Sequence, residues 1–351
     1  MKSEADAIEE LHARGLTDGL PVVLPAPARV RDAVAASGRS AAELIALVPP
    51  RYGRATVEKV AVNAVMAGCR PEYLSVVIAG VEAMCDDAFG LLGISGTTDA
   101  VAPLFLINGP VRRALDINSG VGLFGPGWRA NATIGRALRL IWVNIGGAKP
   151  GVISMSTFSQ PGRYTYCIGE NEEANPWEPF HVEHGFAPGD STVAVLAGEA
   201  PHVTSASTSR TARDLLLTIA RSLEVVGNHK VTALGDTLII FSPEHARTIA
   251  GDGWSKADVR SFLWERLRKP VKDLLPGRDG GEGLRERMLA GIAHPETDET
   301  PIPKFRAPEN LKIVVAGGTA GRFTAVVAGW PFPNAPTGLV IKKIRLPARL
   351  A

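Results

Sequence analysis

Aromatic residues are scarce in this 351-residue chain, at 6%. An excess of charge of either sign is also missing: 38 basic residues face 36 acidic ones. With a net charge of +2 and no long basic run, the sequence carries no electrostatic footprint of a nucleic-acid surface. No apolar stretch reaches the roughly 18 residues needed to cross a bilayer, so no membrane partner is expected. The first residues, MKSEADAIEELHARG, are charged and helix-like and lack the apolar centre of a signal peptide. Cysteines number only three, Cys69, Cys85 and Cys167, so any disulfide scheme leaves one over. The expectation is a cytoplasmic protein with free thiols. There is no Walker loop, the Gly317–Gly321 loop is not GxGxxG, and no nicotinamide, flavin or pyridoxal phosphate signature is read, so no nucleotide cofactor is expected.

Apolar residues are present in quantity, at 45%, as are glycines, at 37. That is ample for a sizeable core, in one large domain or two ordinary ones. Strand and helix patterns alternate, which predicts an α/β protein. Gly19–Pro25 reads as an extended arm and Asp32–Leu47 as a helix. Thr56 caps a helix that carries Val57, Val60, Ala61, Ala64 and Val65 on one face and stops at Gly68. Pro71 opens another, running to about Asp87, although the β-branched run Val76-Val77-Ile78 also suits a strand.

Two later stretches then run alike. Pro103–Ile107 reads as a buried strand, Gly109-Pro110 as the start of a short helix and Asn131–Val143 as a longer helix. Thr211–Val226 is an amphipathic helix, Thr237–Phe241 a buried strand, Ser242-Pro243 a helix start and Ser255–Arg268 a longer helix. Leu106-Ile-Asn-Gly-Pro110 aligns with Ile239-Ile-Phe-Ser-Pro243. The sequence thus predicts two related, tightly packed α/β units, residues 1–190 and 191–351, with pseudo-twofold symmetry. Lys269–Pro308 reads as a helix between charged, glycine- and proline-rich loops, Leu311–Ala316 and Phe323–Ala328 as strands, and Gly317–Gly321 as a hairpin turn.

Chemistry concentrates between Arg129 and Phe186, a polar stretch broken by glycine and proline. Glu170, Glu172, Glu173, His181, Glu183 and His184 fall within fifteen residues of one another. Imidazole and carboxylate together suit zinc or iron, with His181 and His184 as ligands, although HVEH is not the HExxH of zincins. Pro176, Pro179 and Gly185 argue against a helix around the two histidines. The alternatives are a solvated acidic loop with one structural histidine, or acid/base use of Glu170, His184 or His181. Cys69 lies between a helix end and a helix start beside Arg70, where a thiol is expected to be more acidic and more nucleophilic than usual. Its bland reading is a small buried residue at a tight turn. Arg129 and Arg136 can clamp a carboxylate or phosphate, or serve as ordinary ion-pair residues. Asn131 is a plausible helix cap. Asn108-Gly109-Pro110, Ser242-Pro243 and Gly317–Gly321 follow strands, where open α/β sheets bind ligands and helix N-termini attract anions.

Three strings stand out together: Asn63-Ala-Val-Met-Ala-Gly-Cys69-Arg-Pro-Glu72-Tyr, Arg129-Ala-Asn-Ala-Thr-Ile-Gly-Arg-Ala-Leu-Arg and Gly169-Glu-Asn-Glu-Glu-Ala-Asn-Pro-Trp177-Glu-Pro. They resemble a bacterial family associated with small proteins that bear a UGSC motif, of thioredoxin-like or selenoprotein-like type. The resemblance spans about residues 50–190, with a weaker echo from Ser242 to Lys256. It implies a soluble enzyme component working with a small thiol-bearing partner.

The residues point to an enzyme of the lyase or hydrolase type that performs addition, elimination or hydrolysis on a small carboxylate or acyl substrate. Glu170 is the expected general acid/base, Cys69 the nucleophile and His184 a further catalytic group. Asn108, Arg129, Asn131, Arg163 and Glu172 are expected to hold substrate. The rivals are a redox or sulfur-transfer component using Cys69 or Cys167, and a non-catalytic subunit. A homo-oligomer, most often a dimer, is the default assembly.

Overall fold

The computed structural model describes residues 3–232, 234–278, 281–285, 297–330 and 338–347. The protein is α/β, and the chain divides into two compact units. Unit 1 comprises residues 1–170, 181–197 and 339–351, and unit 2 residues 171–180 and 198–338.

Unit 1 begins with α1 (Glu4–Ala13), α2 (Pro27–Ser37), the hairpin β1 (Leu44–Val48) and β2 (Gly53–Thr56), α3 (Val57–Ala67), α4 (Leu74–Met84) and α5 (Leu91–Gly96). It continues through β3 (Ala102–Asn108), α6 (Val111–Ala114), α7 (Arg129–Asn144), β4 (Cys167–Gly169), α8 (Phe180–Glu183, whose Phe180 falls in unit 2) and β5 (Thr192–Gly198, whose last residue also falls in unit 2). Unit 2 holds β6 (His202–Ser205), α9 (Ala212–Val225), β7 (Thr237–Phe241), α10 (Pro243–Gly251), α11 (Lys256–Arg266), β8 (Arg268–Pro270), α12 (Val271–Leu274), β9 (Pro301–Pro303), β10 (Leu311–Val315) and β11 (Phe323–Val327). A last strand, β12 (Val340–Lys343), returns to unit 1.

The expected helix over Asp32–Leu47 is instead the end of α2 followed by β1. The chain turns at Gly38, left-handed at φ 68°, a conformation that ends helices and suits glycine. Val76-Val77-Ile78 is helical in α4, where all three are buried; burial on every side outweighs β-propensity. Thr56 accepts from Lys59 N–H and Gly68 closes α3, as the sequence indicates. Part of the helix expected within Lys269–Pro308 falls on residues 286–296, outside the described residues.

The sheet of unit 1 runs β12-β5-β3-β4. β3 and β4 are parallel, with Phe105 level with Cys167 and Ile107 level with Gly169. β12 lies antiparallel on β5, Val340 opposite Val195, which is why the unit takes in the end of the chain rather than stopping near residue 190. β5 is buried throughout and β3 almost so, the pattern of strands covered on both faces. Gly135 lets α7 lie directly on this layer: a Cβ there would sit 2.4 Å from Thr165 Oγ1 and 2.7 Å from Tyr166 N.

The sheet of unit 2 runs β10-β7-β11-β6, around a core that includes Leu215, Ile219, Ile239, Phe241, Leu263 and Ile313. Its order matches that of unit 1. A central strand (β3 or β7) has a parallel neighbour (β4 or β10) on one side. On the other lie β5 or β11 and then an outer antiparallel strand, β12 or β6. The outer strand comes from the chain end in one unit and from before α9 in the other. This is a likeness of connectivity and does not establish a pseudo-twofold axis. Gly317–Gly321 is no hairpin turn, because β10 and β11 flank β7 on opposite sides.

Candidate functional site

Parallel pairing of β3 and β4 sets the geometry of a buried polar pair in unit 1. Ile107 is level with Gly169, so the next residues, Asn108 and Glu170, emerge side by side at the carboxyl ends of the two strands. Both are fully buried, and Asn108 Nδ2 donates to Glu170 Oε2 at 2.5 Å. A carboxyl removed from water needs such donors, because an ionised one left without them is costly. Glu170 N–H donates to Ile107 O at 3.2 Å, which continues the ladder by one residue.

Gly109 makes the turn that follows. Its φ is +84°, and a Cβ there would lie 2.1 Å from Asp190 O and 2.8 Å from Ser191 Cα. No other residue fits so close to the backbone entering β5. The anion site expected at the start of α6 is not formed: that helix is one turn long, and Val111 N–H already donates to Ser191 Oγ at 3.1 Å.

Arg112 and His181 also lie at this end of the sheet. Arg112, on α6, is buried, and its Cδ would be 3.4 Å from a Cβ on Gly169. His181, in α8, is fully buried. Asp190 is held below the usual carboxylate range, first by a hydrogen bond from Lys343 and more weakly by the charge of His181. The sequence analysis missed Arg112 and Ser191. Only their position, four residues after β3 and one before β5, could have drawn attention to them.

Asn131 does not cap α7. The helix begins at Arg129, and Asn131 lies inside its first turn. Its side chain ties the loop after α6 to β4: Oδ1 accepts from Asn118 N–H at 2.8 Å, and Nδ2 donates to Asn118 O at 3.0 Å and Cys167 O at 3.1 Å. Arg129 donates to Gly68 O at 3.0 and 3.2 Å, closing the end of α3. Arg136 grips Asp18 with two bonds of 2.8 Å.

Cys69 is half-buried, and its Sγ lies 3.3 Å from Thr133 O. Burial pushes its pKa up to about 12, against the weaker opposing effects of that hydrogen bond and of Arg129. The direction is opposite to the one its helix-end position suggests, because loss of water outweighs a guanidinium nearby. Cys167 is likewise pushed up to about 12, by burial and then by Cys69, and Cys85 to about 12 by burial alone.

Of the other expected site residues, Arg163 lies apart. Arg163 donates to Val101 O at 2.8 and 3.1 Å, at the start of β3, whereas Asn108 ends that strand. Seven residues of strand put them about 20 Å apart, so one small substrate does not touch both. Glu172 belongs to unit 2. His181 and His184 share a helical turn despite the flanking prolines and glycine, with His184 N–H donating to His181 O at 3.2 Å. Among the described residues no three His, Cys, Asp or Glu side chains converge as metal ligands. No described helix is long and apolar enough to cross a membrane. Comparison of the chain with protein-family models, curated proteins and solved structures gave no match.

Proposed function

We propose that the protein is an enzyme of proton-transfer chemistry acting on a small carboxylate or acyl compound, with Glu170 as its general acid/base. The observation that carries the reading is the buried Asn108–Glu170 pair at the carboxyl ends of two adjacent parallel strands. Ligands of open α/β sheets collect at that edge. A carboxyl held in one orientation away from water is placed to exchange protons with a bound substrate rather than with solvent. Arg112 supplies positive charge at the same corner, which favours an anionic substrate or the enolate formed when a proton is taken from beside a carbonyl. Asn108 acts by positioning Glu170. Since Glu170 is closed off, substrate reaches it only when the residues covering it move aside.

The thiol-dependent rival requires a reactive cysteine, and the raised pKa of all three thiols counts against it. The small thiol-bearing partner belongs to that rival. A role for His181 and His184 as metal ligands remains a separate proposal that elemental analysis of the reduced protein tests.

The test of the main reading is solvent exchange. Small carboxylates and acyl esters are incubated with the protein in deuterated water, and their carbon-bound protons are followed by NMR. Protein-dependent exchange or turnover should fall by about 10²–10⁴ in Glu170→Gln. Undiminished activity in that variant would refute the assignment.

A further inference from the structure

At the opposite end of β3, unit 1 carries an open cavity of about 630 Å³ whose wall includes Arg139, Arg163, Gln160, Tyr164, Phe158 and Asp18. Arg139 sits on the inner side of α7. Its Nη1 is buried and makes no hydrogen bond, and its guanidinium carbon lies 4.8 Å from the centre of the Trp142 ring. Arg163 approaches the same ring at 5.8 Å. All of its hydrogen bonds go to neutral acceptors: Val101 O, Asp99 O and Ser154 Oγ. Asp18 is the one acid in the wall, and both of its oxygens are already engaged by Arg136 at 2.8 Å.

Two arginines therefore line one cavity, and among the described residues no carboxylate is bonded to either. Their environment resists the charge. Arg139 is pulled down to about 10, by burial first and then by Arg163, with the charge of Asp18 opposing, and Arg163 is lowered by burial, with the charge of Asp99 opposing. Both remain cations at neutral pH. A desolvated cation that no carboxylate bonds carries a cost, which an anionic ligand would offset. An arginine whose buried Nη1 has no partner is suited to the planar oxygens of a carboxylate that reaches it. The aromatic and proline side chains beside it suit an apolar body.

We propose that this cavity is a binding site for a small organic carboxylate, separate from the Glu170 corner and independent of the reading given to that corner. The carboxylate sits against Arg139, with Arg163 adding charge from behind, and the apolar part lies along Phe158 and Tyr164.

Isothermal titration of the full chain with benzoate, with succinate and with sodium sulfate, at matched ionic strength, tests the site. The expected result is binding of a carboxylate in preference to sulfate, weakened about tenfold to a hundredfold in Arg139→Met and retained in Glu170→Gln. Arg139→Met should also be at least as thermostable as the wild type without ligand, since it removes a buried charge that no carboxylate bonds, and should lose the ligand-induced rise in melting temperature. Absence of carboxylate binding to the wild type overturns the proposal. So does unchanged affinity in Arg139→Met, or sulfate binding as tightly as the carboxylates. Should Arg139→Met not fold, Arg139→Lys supplies the comparison: it keeps the charge but loses the planar fork, and undiminished affinity there refutes the proposed geometry.

Discussion

Replacing Gly109 with alanine tests whether the turn at the end of β3 is as tightly enclosed as the structure shows. Two costs combine. The first is conformational: φ is +84°, and an L-residue in the left-handed region costs about 1–2 kcal/mol. The second is steric: the new methyl would fall 2.1 Å from Asp190 O, 2.8 Å from Asp190 C and 2.8 Å from Ser191 Cα. These are backbone atoms at the entrance to β5, so the strand itself must shift, and overpacking of this kind costs about 1–3 kcal/mol. The total is about 2–5 kcal/mol. Gly185 is the internal control. It too is left-handed, at φ +87°, but nothing lies within 4 Å of its missing Cβ, so Gly185→Ala should lose only the conformational part. Urea unfolding followed by circular dichroism, fitted with separate transitions where the two units unfold separately, measures both variants. Equal destabilisation by the two substitutions would show that the close approach of Gly109 to Asp190 is absent. Such a result would also remove the constraint that fixes Asn108 beside Glu170.

Three further predictions concern other parts of the fold. His245 is fully buried, bonded through Nδ1 to Thr324 Oγ1 at 2.8 Å, and pulled down to about 4 by burial and then by the charge of Arg322. The unfolded chain binds the proton first as pH falls, so the stability of unit 2 is full above about pH 6.5 and declines towards pH 4, by up to about 3 kcal/mol. Urea midpoints for wild type and His245→Gln across that range should converge at low pH; parallel curves would contradict the burial of a neutral imidazole. Ser255 and Asp258 form a reciprocal cap on α11, with bonds of 3.2 and 2.8 Å, and Ser255→Ala should cost about 1 kcal/mol in the same assay. Cys69, raised to about 12, should react with iodoacetamide at neutral pH far more slowly than a free thiol; rapid stoichiometric labelling would revive the sulfur-transfer reading.

Much of the fold can be read along the chain where the signal is local. Thr56 and Gly68 bracket α3, and Ser242-Pro243 opens α10, because caps and turn residues act over three or four positions. The likeness of Leu106–Pro110 to Ile239–Pro243 falls at the ends of two central strands, each with one parallel neighbour. Glu170 was visible as part of a cluster of acids and histidines, and Asn108 as the residue that follows a predicted strand. Their bond was not, because it depends on the register of two strands 62 residues apart. Non-local pairing also hides β12, four residues long, whose partner β5 lies far back in the chain. Arg136 and Arg139 look alike on the sequence, one helical turn apart. Only the fold gives Arg136 a carboxylate, Asp18, and leaves Arg139 beside Trp142 without one. For Cys69 the helix-end argument gave the wrong sign because it weighed a neighbouring charge without the burial that outweighs it.

The most direct test of the central claim is the pH dependence of kcat/KM for wild type and Glu170→Gln, measured on whichever carboxylate or acyl compound the wild type exchanges or turns over. A general acid/base contributes an ionisation to that profile. The account predicts that one limb of the wild-type curve disappears in Glu170→Gln while near-ultraviolet circular dichroism remains unchanged. A residual activity that keeps the wild-type profile would contradict it, and would place the proton transfer on another group.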